Sequence, residues 1–149
     1  MAERFRASID GGSRGNPGPA AWAVAVLDER GVRTEGHAGV IGSATNNVAE
    51  YTALLEALAL AAERGAQDVE IFADSELVVR QIQGLYRVKN LQLKPLYTEA
   101  QRRIAGLRSF RIVHVRRGDN KEADRLVNLA LDRGAAGEQV RVVETGPVP

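Results

Sequence analysis

The chain has no cysteine. Disulfides and thiolate metal sites are therefore excluded, and any metal would be held by oxygen or histidine. A chain without thiols agrees with a cytoplasmic location, though secreted chains can also lack them. No apolar run approaches the length that crosses a bilayer. Met1-Ala2-Glu3-Arg4 lacks the basic and apolar regions of a signal peptide. The expectation is a cytoplasmic chain with no membrane partner. Net charge is nearly absent as well, at +1, but it is unevenly spread. From Arg80 to Arg117 ten Lys/Arg meet a single acid, Glu99, giving +9; the remainder carries −8. Such a segment suits a polyanion-binding face, and equally a solvated helix surface.

With 149 residues, 44% hydrophobic and 26% charged, the chain suits one domain around one core. Phe5, Ala7 and Ile9 alternate with polar neighbours, which predicts a strand over 4–10. It stops in the turn-rich run from Asp10-Gly11-Gly12-Ser13-Arg14 to Pro19. Residues 20–27 and 32–41 read as two further strands joined by the hairpin turn Asp28-Glu29-Arg30-Gly31. A long helix is expected from Thr45 to the stop at Gly65. A short strand then ends at Asp74. Residues 75–83 read as a helix, and 91–105 as another, with Pro95 either in its first turn or marking a later start. Phe110–Val115 reads as a strand and 119–133 as the last helix, with Asp119 and Glu122 at capping-box spacing. The order β-β-β-α-β-α-α-β-α predicts an α/β fold: a mixed five-stranded sheet, three antiparallel strands then two parallel, flanked by helices. Residues 1–134 form the expected domain, and 135–149 an expected poorly ordered tail. Nothing in the sequence demands more than a monomer.

Four acids occupy element ends or helix starts: Asp10, Glu50, Asp74 and Asp124. Each alone has a plainer reading. Asp10 suits a turn, Asp74 a helix cap, and Glu50 and Asp124 favour their helix dipoles. If they converge, their mutual repulsion requires protonation or a bound cation. A hard divalent ion, magnesium above all, suits such an oxygen site.

The motifs Asp10-Gly11-Gly12-Ser13-Arg14-Gly15-Asn16-Pro17-Gly18-Pro19-Ala20, Thr45-Asn46-Asn47-Val48-Ala49-Glu50-Tyr51, Asp74-Ser75-Glu76 and Asn120-Lys121-Glu122-Ala123-Asp124 occur in order. Over roughly residues 4–134 the chain resembles the type 1 ribonuclease H family. The resemblance implies a ribonuclease H-like fold and an endoribonuclease that hydrolyses the RNA strand of RNA–DNA hybrids. It implies two magnesium ions, or manganese, and products with 5′-phosphate and 3′-hydroxyl ends. Asp10 would bridge both ions, Asp124 would share the ion that activates water, and Glu50 and Asp74 would hold the ion at the leaving oxygen. Gly11, Gly12 and Ser13 match the turn that meets ribose 2′-hydroxyls. Asn16, Asn46 and Asn47 match minor-groove contacts, and Thr45 and Asn90 match a grip on a DNA-strand phosphate.

Two features depart from many members. The basic handle before Val88-Lys89-Asn90 is missing, since Gln83-Gly84-Leu85-Tyr86-Arg87 leads there directly. The loop Arg116-Arg117-Gly118-Asp119 has no histidine; Arg116 or Arg117 is the expected substitute, and His114 reads as a strand residue. These departures resemble a handle-less archaeal and bacterial subgroup, some of which also cut double-stranded RNA. The alternatives are a hybrid-binding module that cuts weakly or not at all, and a nuclease of the same superfamily that acts on another substrate, such as double-stranded RNA or a junction.

Overall fold

Apolar alternation carries β1 (Arg4–Ser13), which buries Phe5, Ala7 and Ile9. In the computed structural model, which describes residues 4–135 and 141–149, β1 continues past the expected end at Asp10. Gly11, Gly12 and Ser13 stay in antiparallel register with Trp22, Ala21 and Ala20 of β2 (Gly18–Leu27). The turn begins only at Arg14, whose N–H donates to the Pro19 carbonyl at 2.8 Å. Asp28 builds the next turn by accepting from the N–H groups of Arg30 and Val32 at 2.8 and 2.9 Å. β3 (Arg33–Ala44) then returns along β2.

The Thr45 hydroxyl accepts from Val48 N–H at 3.2 Å and caps α1 (Asn46–Glu63). β4 (Asp68–Ala73) lies parallel to β1. α2 (Glu76–Ile82) is capped by Ser75. α3 (Lys94–Ala105) carries Pro95 in its first turn, so the later expected start is realised. β5 (Ser109–His114) adds in parallel to β4, with His114 as its last residue. A 3-10 turn (Arg117–Asp119) leads into α4 (Lys121–Ala135). The expected capping box does not form. Asp119 pairs with Arg116, and Glu122 with Arg33 and Arg125.

The alternation in β2 builds a core on each face of the sheet. Trp22, Val24 and Val26 pack with α1, α2 and α3, while Ala21, Ala23 and Ala25 pack under α4. No helix among the described residues is long and apolar enough to cross a membrane.

The sheet has six strands, in the order β5-β4-β1-β2-β3-β6, rather than five. β6 (Arg141–Thr145) pairs antiparallel with β3, so this part of the expected tail is ordered; 136–140 lie outside the described residues. The strand buries little beyond Val142, and its anchor is ionic. The Arg33 guanidinium, almost wholly buried, donates to Glu122 at 3.1 Å and to Glu144 at 2.6 Å. It also reaches the carbonyls of Gly146 and Pro147 at 3.2 and 3.0 Å. A short strand held by charge leaves almost no hydrophobic period in the sequence.

Candidate active site

Parallel pairing sets Ile9 beside Ala73, so the next residues, Asp10 and Asp74, emerge together. Glu50 is delivered by α1 through a missing side chain. A Cβ on Gly11 would overlap the backbone carbonyl of Ala49 and the amide of Glu50. The helix therefore lies backbone to backbone on β1 at that point. Helix packing thus gives this glycine a reason of its own, and its backbone still lines the cleft described below. Gly12 is different, since a Cβ there would meet only Val127, at 3.6 Å.

One oxygen from each of Asp10, Glu50 and Asp74 lies within 4.8 Å of the others. Asp10 is 6% exposed and Glu50 7%. Burial, and then the charge of Asp74, pushes the Asp10 carboxyl up to about 7, against the Gly11 N–H it accepts at 2.9 Å. Burial, and then the charges of Asp10 and Asp74, raises Glu50 well above the usual carboxylate range. Glu50 Oε2 is buried with no hydrogen-bond partner among the described residues. Carboxylates that hold their charge poorly alone, with one oxygen unpartnered, fit a hard divalent cation. Asp124, in the first turn of α4, lines the same cleft, and its charge also raises Asp10. It lies outside the tight group of three.

Asn120 is the residue whose role the sequence did not disclose. It is fully buried directly before α4. Its side-chain amide donates to the Ile9 carbonyl at 2.8 Å and to Asp74 at 3.2 Å. It thereby joins α4 to the strand that carries Asp10. An asparagine before a helix looks like a cap, and only the fold shows it turned toward the acids.

The acids floor an open cleft of about 470 Å³. Gly11, Gly12 and Ser13 form part of its wall, with Asn46 and Asn47 from α1. Asn46 Oδ1 accepts from Ser13 N–H at 2.9 Å, and Asn46 N–H donates to Asn16 at 3.0 Å. Asn16 thus ties the turn to α1 without lining the cleft. Thr45 and Asn90 also lie outside the lining. Asn90 accepts from Gln92 N–H at 2.7 Å and Leu93 N–H at 3.3 Å in the α2–α3 connection.

The reverse transcriptase-like family matches residues 8–130. Ribonuclease HI of Halobacterium salinarum is 44% identical over 87% of this chain and 65% of its own length. A bifunctional protein of Mycobacterium tuberculosis is 44% identical over 85% of this chain and 35% of its own. The crystal structure of LC11-RNase H1 in complex with an RNA/DNA hybrid superposes with a TM-score of 0.83 at 40% identity, covering 88% of this chain and 99% of that one. The chain belongs to the type 1 ribonuclease H family. It spans less than two thirds of the Halobacterium and Mycobacterium relatives.

For a ribonuclease H-like domain, the basic segment is narrower than its sequence suggested. Arg102 and Arg103 pair with Glu99, Arg108 with Asp68 and Arg111 with Glu70. Arg87, Lys89 and Lys94, with no ion pair among the described residues, gather at the α2–α3 connection beside Asn90. Of the two candidate loop arginines, Arg117 lines the cleft; Arg116 is exposed and lies 3.5 Å from Asp119.

Proposed function

We propose that this chain is a metal-dependent endonuclease that hydrolyses the RNA strand of RNA–DNA hybrids, leaving 5′-phosphate and 3′-hydroxyl ends. The observation that carries the reading is the meeting of Asp10, Glu50 and Asp74 in an open cleft, with Glu50 Oε2 unpartnered. With Asp124, these residues would hold two magnesium ions, manganese being the substitute. Bound there, divalent cations supply the positive charge that stabilises the attacking and leaving oxygens of a phosphoryl transfer. Asp10 and Glu50, which tend to keep protons when alone, would release them as ions bind. Asn120 holds Asp74 and the strand before Asp10 in place.

The backbone of Gly11, Gly12 and Ser13 on the cleft wall suits contact with ribose 2′-hydroxyls, which separate RNA from DNA. Asn46 and Asn47 would enter the minor groove. Thr45 and Asn90 would grip a DNA-strand phosphate, supported by the free cations around Asn90. Arg117 rather than Arg116 would take the place of the loop histidine. The hybrid bound in the LC11 relative supports this substrate.

The test uses purified protein with labelled hybrid, RNA duplex and DNA duplex, each with magnesium, manganese or EDTA. Cutting of the hybrid's RNA strand with either metal, and none in EDTA, is expected. Hybrid binding without cleavage under every metal would leave only a binding module. Cleavage of RNA duplex alone would overturn the substrate.

A further inference from the structure

Arg14 stands in the β1–β2 turn, on the wall of the carboxylate cleft. Its Nη2 donates to Asp132 Oδ1 at 2.7 Å and reaches Asn128 Oδ1 at 3.5 Å, both on α4. The same turn is pinned to α1 through Ser13, Asn46 and Asn16. The turn is thus held against α1 while its guanidinium rests on α4.

A guanidinium offers five N–H donors in a planar fork. Nη2 is engaged, while the Nε and Nη1 donors have no partner among the described residues. The ion pair itself adds little to stability, because its side chains are 44% and 68% exposed. The electrostatic setting gives it another use. Four carboxylates floor the cleft, and Arg14 and Arg117 are the cations among the lining residues. A phosphodiester strand entering this cleft meets like charge at the floor and needs positive charge at the walls. With Nη2 taken by Asp132, the Nε–H and Nη1–H donors stay open, each to a single phosphate oxygen.

We propose that Arg14 grips a backbone phosphate of the RNA strand close to the cut, with Asp132 holding the guanidinium in place. This rests on the nuclease reading above and adds a substrate contact to it.

The experiment compares the wild type with Arg14→Ala. Binding of a fluorescein-labelled RNA–DNA hybrid is followed by anisotropy in EDTA across a salt series, and cleavage is measured in magnesium. Arg14→Ala should raise Kd roughly tenfold and make the slope of log K against log salt shallower by about 1. KM should rise with it, while kcat at saturation stays within about twofold, the pattern of lost uniform binding. Hybrids with one neutral methylphosphonate then locate the contact. At one RNA-strand position near the cut, the wild type should fall to the level of the variant, and the variant should lose nothing more. Unchanged Kd and slope in Arg14→Ala would overturn the proposal, as would cancellation only at a DNA-strand position. A wild type that cuts hybrid beside a variant that binds normally refutes the Arg14 contact alone. A wild type that never cuts hybrid refutes the nuclease reading.

Discussion

Asp10→Asn should stabilise the metal-free protein at alkaline pH. The Asp10 carboxyl sits at about 7 in the folded chain, against an ordinary value of 3.8. Between those limits the folded chain keeps a proton that the unfolded chain has released. Stability therefore falls as pH rises through this interval, by about 1.4 kcal/mol per pH unit. The full interval amounts to at most about 4 kcal/mol above neutrality. Water in the open cleft screens part of this, so a gain of about 2 kcal/mol is expected for the neutral amide. That corresponds to about 4–8 °C in Tm for a chain of this length. Asparagine can still accept the Gly11 N–H, so the local backbone is preserved. The assay is thermal unfolding of both proteins in EDTA, near pH 8 and near pH 5. The gain should shrink by more than half at the lower pH. Magnesium should raise the wild-type Tm near pH 8 and raise the variant less. A variant no more stable than the wild type near pH 8 would refute the repulsion argument.

Three further outcomes are expected. Gly11→Ala should lose at least about 3 kcal/mol in urea unfolding, because its methyl meets the α1 backbone; Gly12→Ala should melt within about 2 °C of wild type yet bind hybrid more weakly. Asn120→Ala should cost about 2 kcal/mol, since it removes the buried amide that bonds the Ile9 carbonyl. It should also lower kcat at least tenfold in a hybrid cleavage assay, an order-of-magnitude figure for a slackened carboxylate. Arg33→Ala should cost about 3 kcal/mol by leaving Glu122 and Glu144 without their buried partner; a variant that unfolds at the wild-type urea midpoint would show that the ion network does not anchor β6.

Much of the fold could be read from neighbouring residues. The β1 alternation, the Thr45 and Ser75 caps and the Asp28 turn all depend on contacts within a few positions, and the order of elements follows from them. The exceptions are instructive. Gly11–Ser13 looked like turn and proved to be strand, because antiparallel pairing with β2 overrides local preference. The basic run lost much of its free charge to Glu99, Asp68 and Glu70, and two of these acids lie far away in the chain.

The sequence by itself determined which chemistry is available: oxygen ligands without thiols, four acids in motif settings, and glycines and asparagines beside them. It did so because residue identity and short-range spacing are written directly in the chain. Tertiary structure alone decided that Asp10, Glu50 and Asp74 meet, that α1 rests on the backbone at Gly11, and that β6 extends the sheet. It also decided that Asn120 faces the acids and that Arg14 stands on their wall. Each of those facts joins residues tens of positions apart, and only the packing of helices on a paired sheet sets such distances.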